Sequence, residues 1–155
     1  MTKKGFTMEM PDENCSRALL KDQDVSPKMS FAISKAIKGM NTEQAKEYLE
    51  DVINARKPVP ITRYVTGIAH KRGKGFGAGR YPKKAAHSFV LLIELVEANA
   101  EFNGQDPEHL EIIHVAAHRA KTWHSWFPRA HGRSTPKKRE RVHLEIIVKE
   151  AEEAE

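Results

Sequence analysis

The sequence predicts an α+β chain, and three observations carry that prediction. Apolar residues recur at helical spacing in three separate stretches, the period changes to two after Leu110, and the basic residues gather in two islands. A length of 155 residues with 39% hydrophobic and 30% charged residues fits a single domain with a modest core, so much of the chain must stay on a surface.

Residues 1–14 read as a polar arm and Cys15 to Lys21 as a short strand. Ser26 and Pro27 form an N-cap and first-turn pair, after which Met29, Ile33, Ala36, Ile37 and Met40 recur at helical spacing, so a first helix is expected over 27–39. Ala45, Tyr48, Leu49, Val52 and Ile53 form the stripe of a second helix over 42–56, ended by Pro58 and Pro60. Val59 to Tyr81 keeps no period and reads as an irregular loop. A third helix spans 83–102, with Ala86, Phe89, Val90, Ile93, Val96 and Ala100 on one face and Leu91, Leu92 and Leu95 widening it. Its middle is apolar nearly all round, which predicts the most buried helix of the three.

From Leu110 the pattern alternates. Ile113, Val115 and Ala117 are expected on one face, and the answering run sets Val142, Leu144, Ile146 and Val148 against Arg141, His143, Glu145 and Lys149. The two runs should pair antiparallel over 110–149. The apolar alternation fails toward the turn, which divides the hairpin into a root within the body (15–117 and 142–150) and an extended part over 118–141. An acidic tail closes the chain at 151–155. At about 3.3 Å per residue the ascending strand from Arg119 to Arg129 projects roughly 30 Å, and an isolated ribbon of that length is marginal in water. Something outside the monomer is expected to hold it.

Charge segregation says what that something is. Residues 61–84 hold seven Lys or Arg and no acid, and residues 118–141 hold eight against Glu140 alone, whereas 85–117 hold six acids and no Lys or Arg. A polyanion-binding surface separates signs in this way. In the hairpin, Arg119, Lys121, Arg129, Arg133, Lys137, Lys138, Arg139 and Arg141 are interleaved with Trp123, His124, Trp126, Phe127 and His131. Cations that neutralise phosphates and flat rings that stack on unpaired bases are the two ingredients of RNA contact. The loop cations Arg63, His70, Lys71, Arg72, Lys74, Arg80, Lys83 and Lys84 form a second candidate phosphate-contacting set.

Catalytic constellations are not found. Gly73-Lys74-Gly75-Phe76-Gly77-Ala78 satisfies a dinucleotide fingerprint in spelling, but it lacks the strand before it and the helix after it that give those glycines their role. His114 and His118 would lie about 13 Å apart on a strand, too far to share an ion, and position 115 is Val where a zinc protease needs Glu. Lone Cys15 has no activating partner and reads as a small buried strand residue. No secretion signal is evident in residues 1–10, so an intracellular, cytoplasmic protein without cofactor or metal is expected.

A wider set of residues carries a family resemblance. Ser16-Arg17-Ala18, Val25-Ser26-Pro27-Lys28, Ile37-Lys38-Gly39, Pro58-Val59-Pro60, Arg63-Tyr64, Ala69-His70-Lys71, Gly79-Arg80-Tyr81-Pro82-Lys83, Ala98-Asn99-Ala100-Glu101, Arg129-Ala130-His131-Gly132-Arg133 and His143-Leu144-Glu145-Ile146 occur in this order. In that order and spacing the chain resembles the L-twenty-two family of large-subunit ribosomal proteins in its archaeal and eukaryotic form. The resemblance implies three helices packed on a small antiparallel sheet of about three strands, with a long protruding hairpin. It also implies a non-enzymatic protein that binds several domains of large-subunit rRNA, supports assembly, touches neighbouring ribosomal proteins, and lines the nascent-peptide exit tunnel. Carried over by position, the tunnel-proximal tip comprises Ser125, Pro128, Arg129, Ala130, His131, Gly132, Arg133 and Ser134. Neither a membrane nor a homo-oligomer is expected. The rivals are a DNA-binding architectural protein that uses the basic ribbon in a groove, and a zinc hydrolase built on His114 and His118.

Overall fold

The computed structural model describes residues 5–9, 14–73, 75 and 77–150. Lys74 and the acidic tail at 151–155 lie outside the described residues. The elements run β1 (Cys15–Gln23), α1 (Pro27–Ile37), α2 (Thr42–Ile53), β2 (Val59–Pro60), β3 (Gly79–Arg80), α3 (Lys83–Phe102), a 3-10 turn (Pro107–His109), β4 (Leu110–Pro128) and β5 (Ser134–Glu150). β5 is the central strand of an antiparallel sheet ordered β1-β5-β4, and the three helices pack on it. This is the expected α+β arrangement with a long hairpin.

Local chemistry sets the element ends. Pro27 opens α1 with a fixed φ, and Gly39 at φ +79° turns the chain after Ile37, two residues earlier than expected. The same turn donates the Gly39 N–H to the Ile112 carbonyl, while Met40 accepts from the Ile112 N–H, so the start of the outer edge of β4 is covered by backbone. α2 stops at Ile53 because Ala55 takes a left-handed φ of +59° ahead of Pro58. The stretch over 59–81 is less irregular than its sequence suggests. β2 and β3 pair, His70 bridges Ala78, and the Lys71 N–H bonds the Gly77 carbonyl, so residues 69–71 and 77–79 form a short ladder.

The core lies between the helices and one face of the sheet. Ile33 and Ile37 of α1, Leu49 and Val52 of α2, and Phe89, Leu92, Ile93 and Val96 of α3 meet Leu110, Ile112, Val142, Leu144, Ile146 and Val148, all without solvent exposure. Ser16 and Asn103 tie the end of α3 to β1: the Ser16 hydroxyl donates to Gln105 Oε1 at 2.5 Å and accepts from Asn103 Nδ2 at 2.9 Å. Cys15 is buried in β1, as expected.

Four expectations need correction. An extra residue between Ile112 and His114 shifts the β4 register, so Ile112 rather than Ile113 faces the core with Leu110 before Val115 resumes the alternation. Glu145, expected on the solvent face of β5, is buried, and so is Ile147 on the same face. A central strand is covered on both faces, and residues 5–9 reach across the second one instead of hanging free, with the Thr7 N–H donating to Glu145 Oε2 and Arg17 over the Phe6 ring at 4.7 Å. Finally, α3 keeps an exposed side, because Leu91 and Leu95 point away from the sheet.

Candidate nucleic-acid interface

The finger leaves the body where burial ends. Beyond Val142 on β5 and Ala120 on β4 the side chains open to solvent, and every residue from Trp123 to Arg139 is exposed. A second register shift between Arg119 and Thr122 marks that boundary, and an extra residue there bends and re-twists the distal ribbon. The tip closes with His131 and Gly132 at φ +56° and +66°, and the Arg129 N–H bonds the Arg133 carbonyl at 2.8 Å. Two successive left-handed residues match the twist of a hairpin, which is why glycine is wanted at 132.

Pairing decides which side chains share a face. Trp123 sits opposite Arg139, Ser125 opposite Lys137 and Phe127 opposite Thr135; on the alternate face His124 sits opposite Lys138 and Trp126 opposite Pro136. Rings and cations therefore occupy both faces of the ribbon. Lys137 Nζ lies 4.6 Å from the Phe127 ring centre and Lys121 Nζ 5.8 Å from that of Trp123, so cations and stacking surfaces are presented together. Trp126 is 66% exposed with no ring partner among the described residues. Rings of this size left in water are surfaces for a partner.

The cations of 118–141 fall into two groups. Arg139 donates through Nε to Asp24 Oδ1 at 2.9 Å, and Lys84 holds Asp24 Oδ2 at 2.8 Å, so the two basic islands meet on one carboxylate. Hydrogen bonds from Lys84 and Arg139 lower the Asp24 carboxyl to about 2. Arg141 donates to the Asp22 carbonyl at 3.1 Å, and Arg119 stands 3.9 Å from Glu140. Lys121, Arg129, Arg133, Lys137 and Lys138 have no acidic partner among the described residues; Arg129 only braces the turn through Thr135 Oγ1 at 3.2 Å. His143 accepts the Asp22 N–H at 3.0 Å through Nδ1.

On the body, Arg63, His70, Lys71, Arg72, Arg80 and Lys83 are exposed together with Lys84. The structure adds side chains that the sequence did not single out. Arg63 stacks over Phe31 at 4.9 Å, Lys28 lies over Tyr64 at 4.6 Å, and Lys71 over Tyr81 at 5.4 Å. Tyr64 holds a left-handed φ of +57° and projects into solvent. These are the same cation-ring pairs as on the finger, built from residues far apart in the chain. Arg72 also lines a groove of about 470 Å³ with Arg56, Lys57, Met40, Tyr48 and Pro58.

His114 and His118 do converge, contrary to the strand-spacing argument. Their Nε2 atoms stand 3.0 and 3.2 Å from Glu145 Oε1, because the register shift after Ile112 and the length of two imidazoles bring them over one carboxylate. Burial pushes the Glu145 carboxyl up, but hydrogen bonds from the Thr7 hydroxyl, His114, His118 and the Thr7 N–H outweigh it and leave the group below the ordinary glutamate value. All three side chains are spent on one another. Among the described residues no group of three or more His, Cys, Asp or Glu is placed to hold a metal ion.

Comparison with known proteins agrees with this geometry. The family model described as ribosomal protein L22p/L17e matches residues 18–149. The large ribosomal subunit protein uL22 of Methanoculleus marisnigri is 46% identical over 151 residues, covering 97% of this chain and 99% of the relative. The uL22 proteins of Ignicoccus hospitalis, 46% identical with 93% of each chain covered, and of Aeropyrum pernix, 42% identical with 97% and 99% covered, are similar along the same span. By fold, by finger and by sequence, this chain belongs to the ribosomal protein L22p/L17e family.

Proposed function

We propose that the chain is a structural, non-catalytic constituent of the large ribosomal subunit, working in the cytoplasm. Its finger binds large-subunit rRNA, supports subunit assembly and lines the nascent-peptide exit tunnel near the turn at residues 125–134. The observation that carries this reading is the finger itself: a ribbon with exposed rings and unpaired cations on both faces, too extended to be stable alone. Buried inside RNA, Lys121, Arg129, Arg133, Lys137 and Lys138 neutralise backbone, while Trp123, Trp126 and Phe127 stack on or wedge between splayed bases. The body carries its own contacts through Arg63, Lys71, Arg72, Arg80 and Lys83, and neighbouring ribosomal proteins complete the surroundings.

Large aromatic residues on both faces favour unpaired RNA over a duplex groove, which disfavours the architectural DNA-binding reading. Two experiments test the proposal. In competition with the wild-type chain, an Arg129→Glu, Arg133→Glu variant is expected to be under-represented in large subunits, and equal incorporation would count against RNA contact at the tip. A photo-reactive group at His131 is expected to cross-link to a stalled nascent peptide; labelling of RNA alone would remove the tunnel role and leave RNA binding intact.

A further inference from the structure

We propose that the outer face of α3 docks a basic protein segment that carries apolar anchors. Leu91, Leu95, Ala98 and Phe102 recur at i, i+4, i+7 and i+11, which places them within about 60° of arc along roughly 16 Å of helix. All four are exposed, Leu91 by 46%, Leu95 by 39% and Phe102 by 93%. A surface helix of a monomer carries polar residues at these positions. Here the opposite face of the same helix already supplies the core through Ala86, Phe89, Ile93, Val96 and Ala100, and the outer stripe lies outside the buried core of the described residues. Contiguous apolar surface of this kind marks a partner.

Charge selects the partner. Glu94 and Glu101 border the stripe, are exposed, and make no ion pair among the described residues, and 85–117 contain no Lys or Arg at all. RNA brought here would set phosphates against Glu94 and Glu101 with no Lys or Arg of 85–117 to offset them, the nearby Lys46 being paired to Glu97, and it would leave the aliphatic side chains unmatched. A protein segment with large apolar residues between Lys or Arg answers both features: its anchors cover Leu91, Leu95 and Phe102, and its cations meet Glu94 and Glu101. The molecule is thus two-sided, with RNA-facing cations on the finger and loops and a protein-facing acidic, apolar stripe on α3. This assignment is independent of what the finger touches.

The test uses assembled large subunits carrying this chain with Leu95 replaced by p-benzoylphenylalanine. Irradiation is expected to give one protein cross-link, on a peptide whose Lys or Arg flank large apolar residues. Phe102→Glu in the same chain should cut its yield roughly tenfold. Glu94→Lys with Glu101→Lys should cut it as well, while occupancy of the chain in subunits and thermal unfolding of the free chain stay unchanged. A cross-link to rRNA, to a second copy of this chain or to an acidic peptide would overturn the proposal, as would the absence of any cross-link or a yield indifferent to both variants.

Discussion

The sorting of cations along the finger makes a quantitative prediction about salt. Each phosphate contact contributes about 0.7 to 0.9 to the slope of log affinity against log salt. Lys121, Arg129, Arg133, Lys137 and Lys138 have no acidic partner among the described residues, so the finger should contribute a slope of roughly −3.5 to −4.5. Between 0.1 and 0.3 M salt that corresponds to a loss of roughly 50- to 140-fold in affinity. Changing all five to Gln should abolish this part of the slope, and each single change should lower it by about 0.7 to 0.9. Arg139→Gln and Lys84→Gln should behave differently, because both side chains are already matched to Asp24, and their slopes should change little. Fluorescence anisotropy with a labelled large-subunit rRNA fragment, titrated with KCl, reads all of these values. If Arg139→Gln shifts the slope as much as Lys138→Gln, or if the fivefold variant keeps the wild-type slope, the division of the finger into root and distal cations is wrong.

Trp126→Ala should weaken binding to the same RNA by about 1–3 kcal/mol, the worth of one stacked base, and change the melting temperature of the free chain little because two thirds of the residue is exposed, at 66%. Phe89→Ala should do the reverse, destabilising the fold by about 3–5 kcal/mol through an unfilled core, measured by urea unfolding. Glu145 should make stability depend on acid. Its carboxyl is held below its ordinary value in the folded chain, so its contribution is present above the unfolded-state value and fades as pH falls through the folded one. Glu145→Gln should cost about 1.5–3 kcal/mol at neutral pH and flatten that acid limb; parallel curves for the two proteins would show that the Thr7, His114 and His118 bonds contribute nothing.

Most of the backbone was legible because periodicity reports burial. The apolar period sets α3 at 83–102 and the helix runs Lys83–Phe102, since a strong period bounded by Pro82 and Gly104 leaves little freedom. The root of the hairpin was equally plain in Val142, Leu144, Ile146 and Val148. What periodicity cannot report is parity after an inserted residue. The shift between Ile112 and His114 moved the inward face of β4 by one position without altering composition, and this same shift delivered His114 and His118 to one carboxylate. Glu145 misled for a related reason. A carboxylate in an alternating strand reads as solvent-facing, and only the arrival of Thr7, 138 residues away in sequence, makes it a buried acceptor. The cation-ring pairs Lys28–Tyr64 and Arg63–Phe31 are invisible for the same reason, being products of tertiary contact between α1 and the stretch after β2.

The finger's basic character therefore conceals two different jobs. A ribbon leaving a sheet loses the packing that stabilised its root, and ladder hydrogen bonds alone do not hold it. Here the transition is braced by polar contacts: Asp24 between Lys84 and Arg139, the Asp22 backbone on His143 and Arg141, and Arg119 beside Glu140. Asp24, at about 2, stays ionised across the physiological range, so the brace does not loosen with pH. The pair at Arg119 is solvent-exposed and adds little by itself. Past the Arg119–Thr122 register shift on β4 and Glu140 on β5, the finger holds no Asp or Glu of its own, and the rings turn outward on both faces. The boundary between folding and binding thus falls near Glu140 on the descending strand rather than at 142, where burial ends, and Arg139 stands on the border as the one distal cation recruited back to the body.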